Sequence, residues 1–154
     1  MLMDLRLPGM NGVEAIIAIR QEYPDARIVV LTTEAGDALI QRALDQGAKG
    51  CVLKGMSMSE LLTIISAVHG GKTSVPGLVA THIAEHMGEK ALTHREVEVL
   101  SLIADGHRNK AVAEALSINE ETVKMHVKNT MAKLNANDRT HTVTIAIQRG
   151  YITI

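Results

Sequence analysis

Asp4, Thr32 and Lys54 each follow an apolar run and stand where a buried strand would end. Asp4 comes after Met1 to Met3 and just before a turn at Pro8 and Gly9, Thr32 closes Arg27-Ile-Val-Val-Leu-Thr32, and Lys54 follows Gly50-Cys-Val-Leu53. β-Branched and apolar runs of this length suit strands buried on both faces. In an α/β sheet the carboxyl ends of parallel strands form the mouth where ligands collect. A carboxylate, a hydroxyl and an ammonium from three strands would then converge on one spot. The same groups could instead simply cap neighbouring helices.

A second set of residues has a different chemistry. With Val123 at zero on a helical wheel stepped about 100° per residue, Val127, Thr130 and Leu134 fall within about 40° of it and Met131 at about 80°. Glu121, Met125, Lys128, Asn129 and Ala132 lie opposite, with Lys124 at the border. The inner stripe would be buried and the outer face lightly basic. Lys124 and Lys128 can donate to guanine edges or to phosphates, and Met125 can lie against a thymine methyl. Asn109, Lys110 and Thr122 can hold phosphates through side-chain or helix-start donors. Taken on periodicity alone, the two lysines equally suit the solvated face of a surface helix.

The elements that must position these residues divide the chain in two. Up to residue 70, strand-like and helix-like signals alternate: Asn11 with Glu14 starts a helix, Asp37 to Gln46 fits a second with Gly47 behind it, and Ser57 with Glu60 is a capping box opening a third. This alternation means a parallel sheet covered by helices. Residues 71–90 contain Pro76, Gly77 and Gly88 and are expected to form a linker with a short helix from about Leu78 to Met87. From 91 to 154 the strand signals stop. Thr93 and Glu96 form another capping box, with Leu92 and Val97 at hydrophobic-staple positions. Asn109 can cap a short helix to Leu116, Asn119 a longer one to about Leu134, and Asn137 or Asp138 a last one ending at Arg149. Four helices with a tight turn through Ser117 and Ile118 have the helix-turn-helix layout, in which the second helix enters the major groove.

Composition narrows the function class. Hydrophobic residues make up 46% and charged residues 21% of the 154. That is globular composition, and no apolar run approaches the roughly 20 residues that span a bilayer. No signal peptide is visible, so a cytoplasmic protein with no membrane partner is expected. The net charge of −1 conceals an asymmetry: residues 1–89 hold seven Lys and Arg against ten Asp and Glu, whereas residues 90–154 hold nine against seven. The basic excess lies with the lysine-bearing helix. The single cysteine, Cys51, reads as a small buried residue, the seven histidines lack ligand spacing, and the eight methionines serve as core fillers.

Leu92-Thr-His-Arg-Glu-Val-Glu-Val-Leu100, Asn109-Lys-Ala-Val-Ala113 and Glu121-Thr-Val-Lys-Met-His-Val-Lys128 closely resemble the LuxR-type helix-turn-helix of NarL/FixJ response regulators. In that family the residues matching Lys124, Met125 and Lys128 face the major groove, and the last helix makes the dimer contact on DNA. Met3-Asp-Leu-Arg-Leu-Pro-Gly-Met-Asn-Gly12, Leu31-Thr32 and Gly47-Ala-Lys-Gly-Cys-Val-Leu-Lys54 resemble the flavodoxin-like receiver domain of the same family. The resemblance implies that Asp4 accepts a phosphoryl group from a sensor histidine kinase, that Thr32 bonds a phosphoryl oxygen, and that Lys54 pairs with the charge. A carboxylate nucleophile with a hydroxyl and an ammonium to stabilise incoming charge is sound chemistry for that step.

The resemblance begins at the family's third strand. The acidic pair that would bind Mg²⁺ is not matched, which leaves Asp4 and the backbone carbonyl of Arg6, too few for an octahedral site. No cofactor is therefore expected unless that site is completed, and phosphorylation is expected to be poor. The first strand should be left with an open edge and the helix around Glu60 to Val68 without a packing partner. Relatives read Val-Leu-Met-Asp at the start, so a Met1 set on an internal valine codon competes with a genuine truncation. Cys51 replaces an aromatic that reports phosphorylation in many relatives. The expectation is a partial α/β receiver of about three parallel strands joined to an all-α four-helix DNA-binding domain. It would act as a homodimeric transcription regulator on double-stranded DNA and would not be an enzyme. An alternative is an interaction protein that pairs with full-length response regulators. A haloacid-dehalogenase-type hydrolase would need an acid where Arg6 stands.

Overall fold

The computed structural model describes residues 1–7, 10–33 and 36–153, which form two compact units, Met1–Met87 and Gly88–Ile154. In the first, β1 (Leu2–Asp4), β4 (Val29–Thr32) and β5 (Gly50–Leu53) make a parallel sheet in the order β1-β4-β5. The register sets Asp4 beside Leu31 and Thr32 beside Leu53. A two-residue-per-strand hairpin, β2 (Arg6–Leu7) and β3 (Met10–Asn11), follows β1. The turn expected at Pro8 and Gly9 lies outside the described residues.

Side chains alternate across a strand with a period of two, and the sheet uses both faces. Ile28, Val30 and Cys51 face one way, into a core with Val13 and Ile16 of α1 (Gly12–Glu22) and Ile40 and Ala43 of α2 (Asp37–Asp45). Val29 and Val52 face the other way, onto Ile64 and Val68 of α3 (Met58–His69). Cys51 is fully buried, and burial pushes its thiol up to about 11. This is the small-apolar role expected of it. β1 is one of the sheet's two edge strands, and α3 leaves Met58 and Leu62 exposed. Asn11 caps α1 through its side chain, and Ser57 and Glu60 form the full capping box on α3. Gly12 permits the close return of the chain after the hairpin, because a Cβ there would lie 2.5 Å from the Asp4 carbonyl oxygen.

The stretch read as a linker, 71–90, is mostly part of this first unit. It holds α4 (Gly77–Glu85), whose Val79 is completely buried while Val75 and Ile83 pack against the same core. The Pro and Gly residues there mark helix ends, with Pro76 as the N-cap, and α4 itself is a packed element.

The second unit is all-α: α5 (His94–Ala104), α6 (Asn109–Leu116), α7 (Glu120–Lys133) and α8 (Arg139–Gln148). The Thr93–Glu96 capping box forms on α5, Asn119 caps α7, and Asp138 caps α8. Ser117, at φ 53°, ends α6 in the left-handed region and turns the chain into α7. Asn109 is the first residue of α6, and Arg108 occupies the cap position without a side-chain capping bond. Asn109 therefore does not cap α6 as expected. Among the described residues no helix is long and apolar enough to cross a membrane.

Candidate functional site

The wheel drawn for α7 matches its burial. Val123 and Thr130 are inaccessible, Leu134 is buried, and Val127 packs against the core shared by α5 and α6. Opposite them Lys124, Met125 and Lys128 are exposed together, Met125 at 51%. An exposed thioether between two lysines is apolar surface that folding of the helix does not require. Glu120 and Glu121 stand in the first turn, where carboxylates oppose the helix dipole favourably. The Glu121 Oε1 accepts a hydrogen bond from Lys124 Nζ at 2.6 Å, and this contact raises the Lys124 ammonium above its ordinary value. Lys124 is therefore a fixed cation at any physiological pH.

α7 is held from both ends. Lys133 Nζ donates to Glu96 Oε2 at 2.7 Å and to the Ala91 carbonyl at 3.3 Å, which ties the end of α7 to the start of α5. Burial pushes Glu96 up, but the bonds from Lys133 and from the Thr93 backbone and hydroxyl, with the lysine charge, outweigh it and leave the carboxyl below its ordinary value. At the other end the Asn119 side chain accepts from both the Thr122 N–H, at 2.7 Å, and the Thr122 hydroxyl, at 2.8 Å. Thr122, expected to hold a phosphate, thus directs both of its donors into the cap.

Asn109 and Lys110 begin α6, Lys110 exposed and Asn109 half-buried. Arg139 donates to Asn109 Oδ1 at 2.7 Å and to the His107 carbonyl at 2.6 Å. Since arginine only donates, the Asn109 oxygen must face it, which leaves the amide nitrogen as that side chain's donor end. His107, Arg108, Asn109, Glu120 and Arg139 line one open hollow of about 490 Å³, which brings the starts of α6 and α7 to a common surface. Arg139 went unnoticed in the sequence because its partner lies 30 positions away and no local pattern links them.

In the first unit the side chains of Asp4 and Lys54 meet, and Thr32 ends the strand between them. Asp4 and Lys54 come from the strands flanking β4 and meet at 2.6 Å, while the second Asp4 oxygen accepts the Arg6 N–H at 2.9 Å. Thr32, 4% exposed, ends the strand between them, and its carbonyl accepts the Lys54 N–H at 2.8 Å. The hydrogen bond from Lys54, then that from the Arg6 backbone, hold the Asp4 carboxyl below its ordinary value. Among the described residues no three His, Cys, Asp or Glu gather to hold a metal, and both Asp4 oxygens are already engaged.

Comparison with known proteins matches both units. Residues 1–66 match the response regulator receiver domain, and residues 90–146 match the bacterial regulatory proteins of the luxR family. The transcriptional regulatory protein DegU of Brevibacillus brevis is 35% identical, the alignment covering 99% of this chain and 75% of DegU. The chain belongs to the response regulators that join a receiver domain to a LuxR-type helix-turn-helix. The response regulator protein VraR of Staphylococcus epidermidis is 36% identical over 98% of this chain and 75% of its own. RcsB of Salmonella enterica serovar Typhimurium, solved on the promoter P1flhDC with the phosphomimetic BeF3−, superposes with a TM-score of 0.63 at 28% identity, covering 94% of this chain and 72% of RcsB. This response regulator is accordingly a DNA-binding transcriptional regulator, and its partial receiver fold and four-helix domain are those expected from the sequence.

Proposed function

We propose that this response regulator binds double-stranded DNA by laying the Lys124, Met125 and Lys128 face of α7 in the major groove. The observation that carries the reading is the split of α7 into a buried apolar stripe and an exposed face bearing two lysines and a methionine. The lysines donate to guanine edges or phosphates and Met125 packs on a thymine methyl. The Asn109 amide, oriented by Arg139, and Lys110 hold phosphates at the start of α6, while Thr122 keeps the start of α7 closed against the Asn119 cap. The protein works in the cytoplasm as a homodimer with α8 as the contact, where Thr140, Thr144 and Gln148 form an exposed stripe of small and polar side chains at helical spacing. Residues 91–154 are the DNA-binding domain and residues 1–70 the regulatory one. In the latter Asp4 is the phosphoacceptor for a sensor histidine kinase, its carboxylate bonding phosphorus as the kinase histidine leaves, and this transfer is poor unless the Mg²⁺ site beside it is completed. Thr32 and Lys54 then bond the phosphoryl oxygens.

Dimethyl sulfate footprinting tests the groove. Guanine N7 atoms in a bound site should be protected from methylation, because N7 lies in the major groove. Protection confined to adenine N3, in the minor groove, would contradict the reading.

A further inference from the structure

Glu121 lies on the face that this reading turns toward the bases, and the reading gives it no task. Its side chain is 81% exposed. It precedes Lys124, Met125 and Lys128 by three, four and seven residues, so all four project from one side of α7. It also holds Lys124 at 2.6 Å. Exposed pairs of this kind contribute little to folding. The pair does fix where the ammonium points.

A carboxylate accepts hydrogen bonds and cannot donate them. Carried into the major groove it is repelled by phosphates and by the acceptors N7 and O6 of guanine and O4 of thymine. The groove offers two donors, cytosine N4 and adenine N6. The adenine amine lies between two acceptors, its own N7 and the paired thymine O4, which oppose the second carboxylate oxygen, whereas the cytosine amine has the guanine O6 on one side and only a C–H on the other. Cytosine is therefore the base that fits Glu121, and a neighbouring guanine fits the lysine tied to it.

We propose that Glu121 is a specificity-determining residue of α7, its carboxylate accepting from cytosine N4 while Lys124 donates to an adjacent guanine. The proposal rests on the placement of α7 in the major groove given above.

The test is selection from a random duplex pool with the full chain, comparing the unaltered protein with Glu121→Ala, Glu121→Gln and Lys128→Ala, each checked for native helix content by circular dichroism. The unaltered protein should enrich cytosine at one position of the site. Glu121→Ala should lose that preference by roughly tenfold or more, with the other positions kept. Glu121→Gln should shift the same position from cytosine to adenine, since an amide fits adenine N6 and N7 together. Lys128→Ala should leave this position unchanged. Identical base preferences in the two Glu121 variants and the unaltered protein, with only overall affinity altered, would overturn the proposal and leave the groove reading standing. An unaltered protein that enriches no base at any position would overturn both.

Discussion

Glu96 and Lys133, 37 residues apart, meet at 2.7 Å and fasten the first turn of α5 to the last turn of α7. Glu96 is nearly buried, and its second task is to close the capping box with Thr93. One carboxylate thus sets both where α5 begins and how α7 lies against it. Removing either partner leaves a charged group in a poorly solvated place, which costs more than the intact pair contributes.

Lys133→Met should therefore destabilise the second unit by about 2–4 kcal/mol in urea unfolding, more than Glu96→Gln, which keeps an acceptor for the lysine and strands the more exposed partner, 21% against 4%. The pH dependence has a definite sign. The Glu96 carboxyl lies below its ordinary 4.5 in the folded protein, so its contribution is complete above that value and lost as pH falls through the lower folded one. Without the lysine, burial acts on the carboxyl unopposed by a cation, and acid unfolding of Lys133→Met should begin at higher pH.

In the receiver unit Lys54→Met should raise the Asp4 carboxyl back toward its ordinary 3.8, because the lysine is the largest cause of its depression. A carbon-detected NMR titration of the aspartate carboxyls reads this directly. The change in stability should be small, as both groups are substantially solvated. It should be present at neutral pH and disappear as acid protonates Asp4 in both proteins. An Asp4 titration that does not move would show that the ion pair is not formed in solution.

Arg139→Ala should remove two charge-assisted bonds at the start of α6 and cost about 1–2 kcal/mol in stability. DNA affinity should fall by roughly tenfold because the Asn109 amide is no longer oriented. Fluorescence anisotropy against a selected duplex measures it. Full affinity in the variant would place Asn109 outside the interface.

What could be read from the sequence was what short-range chemistry determines. The boxes Ser57 with Glu60 and Thr93 with Glu96, and the caps Asn11 and Asn119, join groups two or three residues apart, and all form. The wheel of α7 separated Val123 and Thr130 from Lys124 and Lys128 because burial follows helical period in a helix packed on one side. Long-range pairs left no such trace: Arg139 with Asn109 and Lys133 with Glu96 span 30 and 37 residues. Asn109 has the right residue type for a cap, but the extended backbone falls at Arg108, one position earlier. The two-residue strands β2 and β3 are too short for any alternation to register. In α4, Pro76, Gly77 and Gly88 suggested a linker, while Val75, Val79 and Ile83, spaced by four, carried the opposite message of a buried face.

The last of these makes a direct prediction. Val79→Ala should destabilise the first unit by about 2 kcal/mol, as expected for a fully buried aliphatic side chain cut back to a methyl. A loss below about 0.5 kcal/mol would mean that α4 is only loosely attached.

On the proposed function, the Lys124 and Lys128 side of α7 meets DNA. Equilibrium binding to a pool of bacterial genomic fragments, followed across a range of salt for the unaltered chain, Lys124→Ala and Lys128→Ala, tests it most directly. Each substitution should cost about 1–3 kcal/mol on preferred fragments if the lysine reads a base, or weaken all fragments alike and reduce the salt slope by about one if it holds a phosphate. Binding that persists in both variants with unchanged affinity and unchanged salt slope would contradict the account.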